Sequence, residues 1–149
     1  MATKRRFISL VTGKPYYHGA DVPARAIRRY AREVAELFRP DKIILFGSYA
    51  YGTPHTDSDV DLLVIMDARN ELDQAAKISY ELPAPFPADL IVCKPKNVAW
   101  RLAEGDSFLT EAISEGKVLY EEADPGMGTQ GRRRLPSRRK DRRGKRAVP

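Results

Sequence analysis

Two aspartates separated by a single residue are the clearest candidates for a catalytic or metal-binding role in this sequence. Asp59 and Asp61 flank Val60 at the start of an apolar run that continues to Met66. Side chains two residues apart on a β-strand point to the same face, so the spacing predicts two carboxylates side by side. Neighbouring carboxylates repel each other, and one of them resists ionisation unless a cation lies between them. Mg²⁺ is the natural occupant, because it is usually held by one or two carboxylates together with substrate phosphates.

A third aspartate opens the next apolar run. Asp89 precedes Leu90, Ile91 and Val92. Placed beside the first pair, it would complete a two-metal site that can activate a hydroxyl group and stabilise a pyrophosphate leaving group. Taken singly, each of these features also has a simpler interpretation, because an Asp-x-Asp is commonly a solvated strand edge and an Asp at a strand start commonly belongs to a turn.

A Gly-Ser pair supplies the complementary chemistry. Gly47 and Ser48 follow a short apolar run, Lys42–Phe46. A glycine at the end of a buried strand lets the backbone approach a ligand closely. The amides that follow, with the serine hydroxyl, can donate to phosphate oxygens at a helix N-terminus. The combination predicts a phosphate-binding turn next to a metal site.

The elements that must position these residues follow from the periodicity of the apolar side chains. Helical spacing begins after Asp21, a candidate N-cap, and ends at Pro40. Short apolar runs bounded by Gly and Pro predict strands. The predicted strands are Lys42–Phe46, Asp59–Met66, Ala88–Cys93 and Lys117–Tyr120, and further helices are predicted over 48–52, 71–82, 96–104 and 106–115. This order predicts an α/β (α+β) fold, a small mixed sheet of three to five strands flanked by helices.

Length and charge predict one domain with two appendages. The chain has 149 residues and a net charge of +6, and one small core accounts for its central part. We expect an irregular N-terminal arm over residues 1–20, a catalytic domain over 21–123 and a disordered basic tail over 124–149. Residues 125–149 hold ten Lys or Arg and one Asp, so the tail could contact RNA or another polyanion non-specifically, although a solvated end is the simpler interpretation.

The cysteine count and the lengths of the apolar runs argue against disulfide-rich and membrane-spanning proteins. The single cysteine, Cys93, excludes an internal disulfide framework and a cysteine-based metal cluster. The longest apolar runs are far shorter than a membrane span. We therefore expect a soluble, cytoplasmic protein with no membrane partner.

The arrangement of the motifs resembles a known superfamily. Gly47-Ser48, ten residues, and then Asp59-Val60-Asp61, with Asp89 on a later strand, is similar to the nucleotidyltransferases that include DNA polymerase beta. The resemblance is closest to their small prokaryotic members, the minimal nucleotidyltransferases, and it covers roughly residues 22–121. It implies the nucleotidyltransferase fold.

The resemblance also implies roles for individual residues. Asp59, Asp61 and Asp89 would be the catalytic and metal-binding residues for two Mg²⁺ ions, and Asp89 would help to deprotonate the acceptor hydroxyl. Gly47 and Ser48 would bind the triphosphate of ATP or another NTP. The reaction would transfer NMP, in the leading interpretation AMP from ATP, and release pyrophosphate.

One departure from the family pattern lies directly after the Gly-Ser pair. Many relatives place arginines there, whereas this chain has Tyr49 and Tyr51. A phosphate contact made by those arginines must therefore come from elsewhere or be absent. Either tyrosine could stack on a base, and a packing role is at least as good an interpretation.

The acceptor is left open by the residues themselves. Minimal nucleotidyltransferases are commonly paired with a helical HEPN-type toxin, and some act as antitoxins by attaching AMP to a toxin tyrosine, so the resemblance implies a HEPN protein partner. A stand-alone transferase acting on a small hydroxylated molecule would need a pocket that includes Trp100 and Phe108, which we interpret more simply as core residues. A non-catalytic nucleotide-binding or RNA-binding module is the remaining alternative.

Overall fold

The computed structural model describes residues 7–8 and 15–123, and the predicted tail, residues 124–149, lies outside the described residues. A short 3₁₀ turn spans Gly19–Asp21. The helices are α1 (Ala24–Phe38), α2 (Ser48–Tyr51), α3 (Glu71–Glu81), α4 (Pro95–Ala103) and α5 (Ser107–Glu115), and the strands are β1 (Phe7–Ile8), β2 (Pro15–Tyr16), β3 (Lys42–Phe46), β4 (Val60–Ile65), β5 (Ala88–Cys93) and β6 (Lys117–Glu121).

A four-stranded mixed sheet forms the centre of the domain. Its strand order is β5-β4-β3-β6, and a separate small sheet pairs β1 with β2. β3 is antiparallel to both β4 and β6, whereas β4 and β5 are parallel. The predicted α/β fold, with three to five strands flanked by helices, is confirmed. The order also makes β4 an interior strand, as its apolar character on both faces predicts.

Alternating strand residues divide the core between the two faces of the sheet. Leu62 and Val64 pack with residues of α1 and α3, whereas Leu63 and Ile65 pack with residues of α4 and α5. All four side chains are buried. The three-layer arrangement follows from strands that are apolar on both sides and therefore need cover on both sides.

The start of α1 differs from the sequence prediction. Asp21 is not its N-cap, because the helix begins at Ala24 and Pro23 occupies the capping position. Val22, which precedes the proline, is extended, with φ −72° and ψ 114°. A residue before proline is disfavoured in the helical region by a clash with the proline ring, so the helix cannot extend back through Val22.

The prediction that Trp100 is a core residue is wrong. Its side chain is 64% exposed, whereas Val98 is the buried residue of α4. Two residues on a helix are about 200° apart, so Val98 and Trp100 cannot both face the sheet. Phe108 is not a core residue either: it is 37% exposed and packs edge-to-face on Phe46, with ring centroids 5.3 Å apart.

No helix within the described residues is long and apolar enough to cross a lipid bilayer.

Candidate active site

Three strand ends meet at one edge of the central sheet. The C-terminal end of β3 lies next to the N-terminal end of β4, because these strands are antiparallel, and β5 starts beside β4 because that pair is parallel. Phe46 at the end of β3 pairs with Asp61, and Asp61 in turn pairs with Asp89. The sequence-predicted acids therefore lie at the strand end that leads into the Gly-Ser turn.

The register places two of the three carboxylates directly side by side. Asp61 and Asp89 are Cα partners in the parallel ladder, and neighbouring strands lie about 4.8 Å apart. Asp59 lies immediately before β4, two residues from Asp61 and thus on the same side. Asp59 and Asp89 are exposed, whereas Asp61 is half-buried. The structure therefore places the three acids at the same end of the sheet, with Asp61 and Asp89 on adjacent strands, although their side chains do not form a three-carboxylate metal cluster.

The electrostatic environment of Asp61 reflects this crowding. Burial, followed by the negative charges of Asp89 and Asp59, raises the pKa of Asp61 from 3.8 to about 6. Within residues 15–123, no Lys, Arg or His side chain forms an ion pair with any of the three carboxylates. The ionised form of Asp61 is therefore disfavoured until a cation or a hydrogen-bond donor approaches it.

This raised pKa predicts a pH-dependent stability difference between the wild type and Asp61→Asn in EDTA. The folded-state pKa of Asp61 exceeds the unfolded value, so its protonated form favours folding below pH 4, and this contribution is lost as the pH rises from about 4 to about 6. Two pKa units correspond to about 3 kcal/mol, which solvent screening at this half-exposed group reduces to about 1 kcal/mol.

Thermal unfolding at two pH values measures this difference. We expect the melting temperature of Asp61→Asn to exceed that of the wild type by a few degrees more at pH 8 than at pH 4, since ~1 kcal/mol moves the melting temperature of a domain this size by about 4 °C. An equal difference at both pH values would contradict the burial and crowding of this carboxylate.

The donor chemistry of this edge fits a magnesium ion. Carboxylate oxygens are the hard ligands that Mg²⁺ takes from proteins, and it usually completes its shell with water and substrate phosphates. Burial, followed by the negative charges of Asp89 and Asp59, raises the pKa of Asp61, and a divalent cation would favour its ionised form. Among the described residues, no three Asp, Glu, His or Cys side chains are gathered closely enough to hold a metal ion by themselves.

Gly47 brings the backbone into direct contact with the acids. Its φ of +74° is a conformation that L side chains rarely adopt. A Cβ atom at this position would lie 2.1 Å from Oδ2 of Asp61. The absence of a side chain therefore lets the turn after β3 lie against the Asp61 carboxylate.

The turn at Gly47 leads into a single helical turn. In α2, the N–H groups of Ala50 and Tyr51 donate to the Gly47 carbonyl. The first N–H groups of a helix have no partner within it, so the amides of Ser48 and Tyr49 can donate to a phosphate. At four residues, α2 contributes backbone donors rather than a large dipole.

A pair of serines joins this turn to the loop that carries Asp59. The Ser48 hydroxyl donates to Oγ of Ser58 at 3.1 Å, and the His55 amide donates to the same oxygen at 2.8 Å. Ser58 is the buried polar residue of the described core. Sequence reasoning did not assign it a role, and its position directly before Asp59 was the available signal. It fixes the Ser48 hydroxyl relative to the acidic strand.

The two tyrosines after the Gly-Ser pair are held by protein groups. The Tyr49 hydroxyl donates to the Gly19 carbonyl and accepts from the Val22 amide at 3.2 Å. The Tyr51 hydroxyl donates to Oε2 of Glu111 at 2.9 Å. Tyr49 is also packed against the core, so the packing interpretation fits it better than base stacking. Tyr51 is 43% exposed.

The two histidines and the cysteine have no assigned role in the site. His55 is exposed, and Cys93 is buried in the core between the sheet and α4. His18 packs against the ring of Tyr16, with centroids 4.9 Å apart and planes at 64°.

Comparison with known proteins gives one family. The family model described as the nucleotidyltransferase domain matches residues 27–119, a range that includes the acidic residues and the Gly-Ser turn. A protein of Methanocaldococcus jannaschii, provisionally named a protein adenylyltransferase, is 28% identical over 98 residues, which cover 64% of this chain and 96% of that protein.

Solved structures give more distant likenesses. A Sulfolobus solfataricus protein provisionally named a nucleotidyltransferase has a TM-score of 0.44 and 16% identity, over 65% of this chain and 78% of that one. A mutant of the toxin–antitoxin MntA–HpeT has a TM-score of 0.41 and 23% identity, and a toxin–antitoxin structure with AMP-PNP has 0.39 and 24%. Both cover 68% of this chain and 75% of the matched chain.

Proposed function

The chain belongs to the nucleotidyltransferase domain family and is a nucleotidyltransferase, and from this premise we propose that it transfers AMP from ATP to a hydroxyl group of a partner protein in a Mg²⁺-dependent reaction. The pairing of Asp61 with Asp89 at the edge where the Gly47 turn begins is the observation that carries this proposal. Acidic side chains and backbone phosphate donors then face one reaction centre.

The three aspartates have distinct roles in this proposal. Asp59 and Asp61 would hold Mg²⁺, with Asp89 completing the ligand set. The bound ions would neutralise the triphosphate and stabilise the charge that develops on the leaving group. Asp89 lies exposed on the edge strand β5, where an incoming acceptor can reach it, so it would accept the proton of the acceptor hydroxyl.

The Gly-Ser turn would bind the substrate phosphates. The backbone amides after Gly47 would donate to phosphate oxygens, and the Ser48 hydroxyl would turn from Ser58 toward the nucleotide. The acceptor oxygen would form a bond to the α-phosphorus as the bond from that phosphorus to the β-phosphate oxygen breaks. The products would be an AMP-modified acceptor and pyrophosphate.

The nature of the acceptor is the finer part of the proposal. The relative from Methanocaldococcus jannaschii, which is provisionally named a protein adenylyltransferase and aligns over 96% of its own length, supports a protein acceptor. The motif resemblance to minimal nucleotidyltransferases supports a HEPN-type toxin as that partner and an antitoxin role for this chain. A tyrosine hydroxyl of such a toxin would be the modified group.

Transfer of label from ATP to proteins of a host lysate tests the proposal. We would incubate the full chain with α-labelled ATP and Mg²⁺, with other NTPs as competitors, and compare it with the variant Asp59→Asn/Asp61→Asn. We expect one labelled protein band with the wild type and none with the variant. Mass spectrometry of that band identifies the acceptor and the modified hydroxyl, and unlabelled ATP should compete better than other NTPs.

Other results would change the proposal in defined ways. Label in small molecules with no labelled protein would indicate a stand-alone transferase for a small hydroxylated acceptor. A labelled protein that is not a HEPN-type toxin would contradict the antitoxin role alone. A wild type that binds no nucleotide in the presence of Mg²⁺ would contradict the proposed reaction as a whole.

A further inference from the structure

Residues 16–22, here called the N-terminal strap, cross the two loops that carry the candidate acids. The Tyr17 amide donates to the Pro85 carbonyl at 2.9 Å, in the loop that leads to Asp89. Gly19 lies against Thr56 in the loop that leads to Asp59. One short segment therefore contacts both loops, although it lies outside the range matched by the family model.

The contact with the Thr56 loop is close. Gly19 has a φ of +55°, and a Cβ atom there would lie 2.9 Å from the Thr56 carbonyl oxygen and 3.1 Å from its Cα. Both neighbours are backbone atoms, which cannot move aside as a side chain tip can. Any residue larger than glycine would therefore push the strap away from this loop.

The strap is anchored in the main core through Tyr17 and Val22. Val22 is buried, and Tyr17 packs against the same core cluster. Burial, followed by the negative charge of Asp59, raises the pKa of the Tyr16 phenol. The strap thus connects the hydrophobic core to the flank of the candidate site.

The Tyr49 hydroxyl forms two hydrogen bonds with the strap. Its hydroxyl donates to the Gly19 carbonyl and accepts from the Val22 amide. These bonds cross 30 and 27 residues of sequence. Because Tyr49 follows Ser48 directly, the same short helix that presents the phosphate donors also holds the segment that spans the acidic loops.

The two acidic loops are also joined directly where β4 and β5 begin. The Val60 amide donates to the Pro87 carbonyl at 2.9 Å, at the start of the β4 and β5 ladder. The strap is a second connection between these loops, through the Pro85 carbonyl and the backbone of Thr56. Such a connection limits how far Asp59 can move relative to Asp89.

We propose that Tyr49 is a positioning residue for nucleotidyl transfer, which holds the N-terminal strap across the loops of Asp59 and Asp89 so that these acids keep their relative placement during the reaction. This inference rests on the proposed function. It also gives Tyr49 a role that requires no contact with the nucleotide.

The variant Tyr49→Phe tests the role of these two hydrogen bonds, because it removes only the hydroxyl. We expect transfer to the labelled host acceptor, measured at saturating Mg²⁺ and ATP, to fall by about tenfold or more, because displacements of about 1 Å at a reaction centre can cost about a hundredfold. The dissociation constant for ATP should stay within about twofold, since Gly47 and Ser48 are unchanged. Tyr51→Phe is the matched control on the same helix, and it should retain transfer.

A second variant disrupts the contact between the strap and the backbone of Thr56. Gly19→Ala should reduce transfer as Tyr49→Phe does, and the double variant should lose little more than either single one, because both release the same segment. Gly105→Ala is the matched control, since Gly105 has a φ of +82° with nothing within 4 Å of an added Cβ. It shares a positive φ with Gly19 but lacks the contact.

Hydrogen exchange keeps this inference separate from the proposed function. The amides of Tyr17 and Val22 should exchange faster in Tyr49→Phe than in the wild type, whether or not an acceptor is present. Wild-type protein that transfers no label would overturn the proposed function. Equal transfer by the wild type and Tyr49→Phe, or strictly additive losses in the double variant, would overturn the positioning role of Tyr49 alone.

Discussion

Asp61→Asn should lower the rate of nucleotidyl transfer by about a thousandfold or more, since single groups that stabilise developing charge in a closed site contribute factors of about 10² to 10³ and this residue would also hold the metal. Asp61 lies between Asp89 and the Gly47 turn. Burial, followed by the negative charges of Asp89 and Asp59, disfavours the ionisation of its carboxylate. Removing its charge therefore removes the centre of the proposed metal site.

The loss of activity should be separable from loss of fold. Asparagine has nearly the same shape as aspartate, so Asp61→Asn should unfold at the same or a higher temperature at pH 8 without metal. Asp67→Asn is the matched control, because Asp67 is exposed just beyond the other end of β4. Transfer that persists in Asp61→Asn at more than a tenth of the wild-type rate would contradict the central role of this acid.

Gly47→Ala should lower the transfer rate by about a hundredfold, on the scale expected for displacements of about 1 Å at a reaction centre. The added Cβ would lie 2.1 Å from Oδ2 and 3.1 Å from Cγ of Asp61. The Asp61 side chain would have to rotate away from the turn and lose its alignment with Asp89. Mg²⁺-dependent ATP binding, measured by titration calorimetry, should weaken together with the rate.

Gly52, at the other end of α2, is a comparison glycine that has a positive φ but no clash. Gly52 ends α2 with a φ of +80°, and an added Cβ there would meet nothing within 4 Å. Gly52 lies in the left-handed region, where alanine costs about 1 kcal/mol. Gly47, with φ +74° and ψ −160°, lies in a region almost restricted to glycine, so Gly47→Ala should lower the melting temperature more than Gly52→Ala does. Only Gly47→Ala should lose transfer, and comparable activity in the two variants would contradict the close contact with Asp61.

Local sequence patterns determined the elements and the types of the site residues. The apolar runs at Lys42–Phe46 and Ala88–Cys93 predicted β3 and β5 with the bounds that the structure has. The spacing of Asp59 and Asp61 predicted that both side chains share one side, and Gly47 marked the end of a strand. These features could be predicted because strand alternation and turn conformation are set by residues that are close in sequence.

The local patterns were less informative where flanking residues or helix orientation decide the outcome. α1 starts at Ala24 rather than directly after Asp21, because the proline at position 23 restricts the backbone of Val22. Trp100 was expected in the core, yet the single buried residue of α4 is Val98, and this sets the opposite face of the helix toward solvent. A short helix buries one narrow stripe, and the sequence of nine residues does not identify which stripe faces the sheet.

Only the tertiary structure decided how the pieces of the site fit together. The sequence alone established three aspartates, a Gly-Ser turn and the strands that carry them. The register that pairs Asp61 with Asp89 depends on two strands that meet across a helix and two loops. The strap is fixed by the Pro85 and Gly19 carbonyls and the Tyr17 and Val22 amides. Every residue has a backbone carbonyl, and every residue except proline has a backbone amide. The residue types therefore do not indicate which of these groups will pair, and the contacts form only when the chain folds.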